Sequence, residues 1–236
     1  MSIKVRIRFS KTGSMKFLGH LDVMHFFQQL MRRSNIPICY SEGFSPHQKM
    51  SFALPLSTGL ESYGEYLDIE TERSIPSKQA LFMLNSNSVE GISILSYREL
   101  KEKAKNAMAS VALADYSIRF REGYEADFDL KKKLDELLNE DEIRVLKKTK
   151  KSEKELDIKP FIHKYQCLED ENGYLIRLRL SCGSVDNTKP ELLLKALYDK
   201  EKKDLDKYAL MITREQIYTI EDGNIVSLED MGLETE

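Results

Sequence analysis

The chain has few cysteines, and their spacing excludes several classes of site. Its 236 residues contain only Cys39, Cys167 and Cys182, which lie far apart in the sequence. No Cys-x-x-Cys pair and no cluster of three occurs, so the sequence predicts neither an iron–sulfur cluster nor a cysteine-rich zinc site in this chain. The odd number and wide spacing also argue against a disulfide framework.

Long apolar runs and the common catalytic signatures are absent as well. The apolar stretches are short, and the first residues alternate apolar with basic instead of forming a signal-peptide core. We therefore expect a cytoplasmic protein with no membrane partner. There is no P-loop, Gly-x-Gly-x-x-Gly, Gly-x-Ser-x-Gly or His-Glu-x-x-His motif, so the sequence does not spell out a reaction.

Positive charge is concentrated at the start of a chain that is acidic overall. The net charge is −3, yet residues 1–50 hold eight lysines and arginines against two acidic residues, a balance of +6. The remaining residues therefore sum to −9, and three of the four histidines also lie in the basic part. This asymmetry indicates a surface for an anionic partner, and RNA is the leading candidate.

Hydrophobic periodicity in the first half predicts a ferredoxin-like unit. Residues 3–9 alternate apolar and basic side chains, typical of a half-buried strand with a basic outer face, and residues 19–34 have helical spacing. Further strands and one more helix complete the order strand, helix, strand, strand, helix, strand. This is the βαββαβ pattern, and we assign it to residues 1–98.

The order of elements then repeats. An Asn172-Gly173 hairpin signal lies among the strands of a second ferredoxin-like βαββαβ unit over residues 111–228, and the pattern predicts an α+β protein with antiparallel sheets. A connecting helix is expected at 99–110. Residues 229–236 carry four acids and no base, typical of a frayed acidic tail. No residue-level repetition relates the halves, so the duplication rests on element order alone.

The segment Tyr40–Lys49 holds an unusual number of groups that stack, titrate or bind anions. Tyr40 and Phe44 are suited to base stacking and Lys49 to phosphate contact. A basic run in the second half is expected to lie on a loop or hairpin tip and to add further phosphate contacts. The alternative for the basic groups is a solvated face. The predicted RNA- or ligand-binding residues are Arg6, Arg8, Lys11, Tyr40, Phe44, Lys49, Lys147, Lys148, Lys150 and Lys151.

Three titratable residues are candidates for catalysis: His20, Glu42 and His47. His20 lies at the predicted start of the first helix, where the helix dipole favours the neutral imidazole. In a ferredoxin-like fold this position can approach the 40–49 segment, which would bring the three together. The alternative is structural, with each histidine capping a helix or bonding a loop carbonyl. We expect no metal site, because His20 and His25 point about 140° apart on a helix.

Several longer motifs resemble the radical-SAM-linked family, a bacterial domain of unknown function. In the first half these are residues 9–13, 17–24, 40–56 and 64–68; residues 155–160 and 188–197 also resemble that family. The resemblance implies the separate form of a domain that accompanies a cobalamin-binding radical SAM protein. It implies no cofactor in this chain and a partner carrying an iron–sulfur cluster, S-adenosylmethionine and cobalamin.

Three functions are compatible with these features. The first is an accessory protein that binds tRNA or rRNA, or presents a substrate, to a radical SAM enzyme. The second is an RNA-modifying enzyme or metal-independent RNA endonuclease, with His20 or His47 as general acid or base and Lys49 stabilising charge. The third is a protein-interaction module that touches no nucleic acid. We expect a non-catalytic partner, because the sequence places no second acid or base with the histidine.

Overall fold

The structure is a computed structural model that describes residues 2–148, 153–183 and 187–236. Three short 3₁₀ helices occur among the described residues, at Gly13–Phe17, Lys159–Phe161 and Glu229–Met231. The strands and α-helices described are β1 (Ile3–Lys11), α1 (His20–Arg33), β2 (Met50–Phe52), β3 (Glu61–Thr71), α2 (Ser77–Asn85), β4 (Ile92–Leu100), α3 (Ala107–Ser110), β5 (Leu113–Phe120), α4 (Leu130–Leu138), β6 (Arg144–Lys148), β7 (Glu153–Asp157), β8 (Ile162–Asp170), β9 (Gly173–Ser181), α5 (Glu191–Lys200), β10 (Leu210–Glu221), β11 (Asn224–Ser227) and β12 (Gly232–Leu233).

The chain divides into two compact units. Unit 1 consists of Met1–Ala112 together with Arg214–Glu236, and unit 2 of Leu113–Thr213. The sequence pattern assigned residues 214–228 to the second half, whereas the structure groups them with unit 1, where β10 is hydrogen-bonded to β3. Each unit is a mixture of strands and helices, and strands predominate.

Unit 1 is a sheet with α1 and α2 packed on one face. Its strand order is β12-β4-β1-β3-β10, with β2 also paired to β3 and β11 to β10. The alternating residues Val5, Ile7 and Phe9 of β1 are at most 1% exposed, as the period of two predicts. They pack in one core cluster with Phe27 and Leu30 of α1. The predicted first strand and first helix are therefore confirmed.

The segments expected to be a connecting helix and a frayed tail are different in the structure. Only Ala107–Ser110 of the 99–110 segment is helical. The 229–236 segment is held in place, because β12 pairs antiparallel with the end of β4 and the Thr235 N–H donates to Ser77 Oγ at 2.9 Å. Arg98 adds ion pairs to acidic side chains of this segment, at 3.0 Å to Asp230 and 3.5 Å to Glu234. Backbone pairing and a local cation thus replace the predicted disorder.

The strands β5, β9 and β8 of unit 2 are paired antiparallel. Strand β9 pairs with β5 on one side and with β8 on the other, while β6 and β7 form a separate hairpin. Helix α4 buries Leu130, Leu134 and Leu137, a spacing that places the three on one face. The hairpin predicted at Asn172-Gly173 is confirmed, with Gly173 at a φ of 85° that favours glycine.

The fold is therefore a mixed α/β fold with a large sheet and few helices. Two tandem ferredoxin-like units remain a prediction: unit 1 contains the order β1-α1-β2-β3-α2-β4, but β10, β11 and β12 extend its sheet, and unit 2 carries the additional β6–β7 hairpin. None of the described helices is both long and apolar enough to cross a bilayer.

Candidate functional site

The segment Tyr40–Lys49 forms a narrow loop that projects from unit 1, and we call it the 40–49 loop. Its base is held like a hairpin: the Lys49 N–H donates to the Cys39 carbonyl at 2.9 Å, and the Ser41 N–H donates to the His47 carbonyl at 2.8 Å. At the tip Gly43 has a φ of 105°, a conformation that other residues rarely adopt. A rigid base therefore presents a tight, glycine-dependent tip.

The aromatic side chains of the loop face solvent. Phe44 at the tip is fully exposed, at 111% of its reference area, and Tyr40 is 43% exposed. The Tyr40 hydroxyl accepts a hydrogen bond from Gln48 Nε2 at 3.3 Å. This bond, with a smaller contribution from Arg32 of α1, lowers the pKa of Tyr40. The Tyr40 hydroxyl therefore interacts with the Arg32 guanidinium. The Phe44 ring is exposed to solvent.

Lys49 stands at the base of the loop and has an acidic neighbour. Its Nζ lies 3.0 Å from Glu70 Oε2, and the side chains are 42% and 30% exposed. The hydrogen bond from Lys49 lowers the pKa of Glu70, and the same bond raises the pKa of Lys49. An ion pair this exposed contributes little to stability, so an anionic ligand can compete for Lys49.

His47 and Glu42 also lie on the loop. His47 Nδ1 is 2.8 Å from Ser41 Oγ, and the His47 N–H donates to the same oxygen at 3.1 Å. These two bonds give His47 a structural role in closing the loop. Glu42 is exposed near the tip. Gln48, the residue after His47, anchors the loop to α1 by donating to the Gln28 carbonyl at 3.2 Å.

His20 is placed elsewhere. It begins α1, and its ring makes an edge contact with Phe52 at a centroid distance of 5.3 Å. Eight residues separate His20 from Gln28, where the loop is anchored, a rise of about 12 Å along the helix. Within the described residues, the contacts of His20 involve neither Glu42 nor His47. The convergence of His20, Glu42 and His47 in one pocket stays a prediction.

Two of the basic residues predicted to bind phosphate are committed to internal contacts. Arg6 is 1% exposed and forms a two-pronged pair with Asp68 at 2.8 and 2.9 Å. Arg8 donates to the Tyr63 carbonyl at 3.0 Å and to Glu229 at 2.8 Å. The predicted outer face of β1 is covered at these positions, so Arg6 and Arg8 act in folding rather than on an open surface.

Lys11 is buried as well. It is 2% exposed, and its Nζ donates to the Leu18 carbonyl at 2.7 Å, just before α1 begins. Burial is the main cause that lowers the pKa of Lys11; Glu65 opposes this effect and Arg214 adds to it. Lys11 therefore shapes the approach to His20 from inside the protein.

Part of the second basic cluster lies outside the residues that the structure describes. Lys150 and Lys151 lie outside the described residues, and Lys147 and Lys148 belong to strand β6, whose partner is β7. Their contribution to binding remains a prediction. No group of three His, Cys, Asp or Glu side chains suited to a metal ion occurs among the described ranges.

The sequence did not reveal a buried ion pair next to the His20 region. Arg214 of β10 donates to both carboxylate oxygens of Glu65 at 2.6 Å and to the Leu54 carbonyl at 2.7 Å. The side chains are 2% and 7% exposed. The partners are 149 residues apart, so no local sequence signal links them.

Comparison with known proteins identifies a family. Residues 4–190 match the family described as "Uncharacterized protein conserved in bacteria (DUF2344)". The chain belongs to this family. The description states no activity, so the resemblance to radical-SAM-linked proteins bears on function only as a proposal. No curated protein sequence matches the chain.

Two solved structures are similar to this chain at low identity. "Crystal Structure of a Cbf5-Nop10-Gar1 Complex" matches 90% of this chain with 11% identity and a TM-score of 0.48. The match covers 48% of that chain, so this protein spans about half of its length. "Crystal Structure of an Unknown Protein from Galdieria sulphuraria" matches 91% of this chain and 98% of the other, with 11% identity and a TM-score of 0.27. At these scores neither likeness informs the function.

Proposed function

We propose that this protein is an RNA-binding accessory protein of a cobalamin-binding radical SAM enzyme and that the 40–49 loop contacts the RNA. The carrying observation is the full exposure of Phe44 at the tip of a loop with a hydrogen-bonded base. An uncovered aromatic ring on a well-held loop is suited to stack on an unpaired base. Two tandem ferredoxin-like units would form the scaffold.

Stacking supplies the larger share of the proposed affinity. Base–aromatic stacking contributes about 1–3 kcal/mol per base. Tyr40 offers a second ring, and Arg32 beside it can contact a phosphate or stack on a base through its guanidinium. The tip glycine, Gly43, keeps Phe44 in its exposed position.

The electrostatic share is smaller than the charge balance of the first 50 residues suggests. Arg6, Arg8 and Lys11 are held inside the fold. Exposed cations at the loop are Arg32 at the end of α1, which acts on Tyr40, and Lys49 at the loop base. Two phosphate contacts correspond to a slope of roughly −1.4 in a plot of log affinity against log salt for single strands.

The radical SAM partner is proposed from the motif resemblance. Under this proposal the partner supplies the iron–sulfur cluster, S-adenosylmethionine and cobalamin, while this chain holds the RNA. RNA-binding surfaces on an accessory chain can orient a target nucleotide toward a partner's reactive centre, which raises the rate by positioning. Bacterial tRNA and rRNA are the substrates to examine first.

The test is RNA binding measured by fluorescence anisotropy over a salt series, with tRNA and rRNA fragments. We expect Phe44→Ala to weaken binding by roughly 5- to 150-fold, the loss that corresponds to stacking of one base. The matched control is Phe82→Ala, which removes a 74% exposed phenylalanine from α2, distant in sequence from the loop. The control should bind like the unchanged protein.

Other outcomes favour the competing functions. Absence of RNA binding, or equal effects of Phe44→Ala and Phe82→Ala, would refute the proposal. Metal-independent cleavage that is lost in His20→Ala, with RNA binding retained, would support the nuclease instead. Co-purification with the radical SAM protein but no RNA affinity at any salt concentration would support a protein-interaction module.

A further inference from the structure

A cavity of about 280 Å³ opens in unit 1 where the 40–49 loop leads into β2. Leu100 and Ala104 supply apolar surface, and Lys4 and Lys49 supply cationic groups. Ligand sites are commonly concave and mainly apolar, with a few convergent polar groups. The cavity has this composition, and its volume lies just below the range for drug-sized ligands.

The sheet register explains why charged groups meet at this cavity. Lys4 of β1 is directly opposite Glu70 of β3, and Ser51 of β2 is opposite Asp68 of β3. The other wall belongs to the segment after β4, to which Lys4 Nζ is bonded at the Glu102 carbonyl, at 3.3 Å. Side chains from three strands and one connecting segment therefore surround a single opening.

The charges of the cavity favour an anion. Among its lining residues, Asp68 is already paired with the buried Arg6. Glu70 forms an ion pair with Lys49, and Lys4 donates a hydrogen bond to a neutral carbonyl. The combined charge of Lys4, Lys49 and Glu70 is +1. A phosphate that drew Lys49 away from Glu70 would meet two ammonium groups.

We infer that this cavity binds one nucleotide of the RNA held by the 40–49 loop. The base would lie against Leu100 and Ala104, and the phosphate would contact Lys4 and Lys49. This inference rests on the proposed function and adds a second contact to it. Lys49 belongs both to the base of the loop and to the cavity wall, so one strand of RNA can pass from Phe44 to the cavity without a break.

A nucleotide fits these features better than a simple anion or an apolar molecule. Inorganic phosphate would leave the apolar surface uncovered, and an uncharged apolar ligand would leave the lysines without a counter-ion. Ser51 and Asn106 add hydroxyl and amide groups to the lining that can bond a base edge. The ligand class is therefore a planar base joined to a phosphate.

In the first experiment the full chain is titrated with AMP, CMP, GMP and UMP. Binding is monitored by NMR chemical shifts and by calorimetry. The matching nucleosides and inorganic phosphate are separate arms. We expect at least one mononucleotide to bind, and its nucleoside and phosphate alone to bind at least tenfold more weakly. Ala104→Phe should fill the cavity and abolish mononucleotide binding, because Ala104 lines it. The control Ala109→Phe places the same ring at an exposed helix position outside the lining.

Charge substitutions give effects of opposite sign. Lys4→Gln should weaken mononucleotide binding roughly two- to fivefold, since it removes a phosphate contact of surface strength. Glu70→Gln should strengthen it by a similar factor, because it removes a negative charge and releases Lys49. Lys78→Gln, on the exposed side of α2, is the charge control and should have no effect. A purely structural role for these residues would not give opposite signs.

Failure of this inference is distinguishable from failure of the proposed function. If no mononucleotide binds at millimolar concentration, or if Ala104→Phe binds as well as Ala109→Phe, the cavity is not the site. RNA binding that still depends on Phe44 would then leave the loop proposal standing. If mononucleotides bind in the cavity but RNA binding is insensitive to Phe44, the loop proposal fails instead. Thermal melting of each variant shows whether a lost signal reflects unfolding.

Discussion

The buried pair between Glu65 and Arg214 allows a sharp test of what holds unit 1 together. Arg214 Nε and Nη2 donate to the Glu65 carboxylate at 2.6–2.8 Å, and both side chains are at most 7% exposed. Lys11 lies close enough for its charge to interact with both partners. Glu65 is thus the one acidic group of this buried trio.

Glu65→Gln keeps the size of the side chain and removes its charge. Two buried cations would then lack their counter-ion, and breaking a buried pair by losing one partner costs about 3–5 kcal/mol. The matched control is Glu61→Gln on the same strand, whose carboxylate pairs with Lys16 at 3.1 Å and is 30% exposed. An exposed pair of this kind contributes at most about 1 kcal/mol.

Thermal unfolding followed by circular dichroism measures the difference. A loss of 1 kcal/mol lowers Tm by about 2–4 °C in a chain of this size, so Glu65→Gln should melt roughly 6–20 °C lower and Glu61→Gln within about 4 °C of the unchanged protein. The triple variant Lys11→Met, Glu65→Leu and Arg214→Met should recover much of the loss, because no unpaired charge of the trio stays buried. Equal melting of the two single variants would refute the assignment of Glu65 as the counter-ion of a buried cationic pair.

Three further predictions follow from unit 1. Gly64→Ala should destabilise the protein by about 1–3 kcal/mol in chemical denaturation, because an added Cβ would lie 2.6 Å from the Gln216 Cα; an unchanged midpoint would contradict this close approach. The folded pKa of Lys11 is lowered by burial, so the unfolded chain binds more protons between that value and 10.5; stability should rise with pH across this window and the rise should vanish in Lys11→Met. Arg98→Gln should speed hydrogen exchange at the amides of residues 229–236, while equal exchange would show that backbone pairing alone holds the segment.

Local patterns in the sequence predicted local structure well. The alternation of Val5, Ile7 and Phe9 indicated a strand with one buried face, and that face forms the core against α1. The Asn172-Gly173 pair predicted a hairpin because these residue types favour tight turns, and β8 and β9 join there with Gly173 at a positive φ. Both signals depend only on residues that are neighbours along the chain, so no knowledge of the tertiary structure was needed.

The roles of the basic residues depended on distant parts of the chain. The sequence showed Arg6 and Arg8 as one basic strand face, but Asp68 and Glu229 lie opposite them in the folded protein. Charge-assisted hydrogen bonds between arginine and carboxylate are stronger than neutral ones. The side chains of Arg6 and Arg8 therefore point toward their carboxylate partners in the folded protein. A count of charged residues does not show which of them form ion pairs in the folded protein.

By itself the sequence determined the strands, the main helices, the exposed aromatic loop and the membership of a family with no stated activity. The tertiary structure decided which charges remain available, packed His20 against Phe52, and created a cavity lined by Lys4 and Lys49. The physical reason is the separation along the chain between the residues that interact. Turn and periodicity signals act over a few residues, whereas ion pairing and cavity formation join strands that lie tens to hundreds of residues apart.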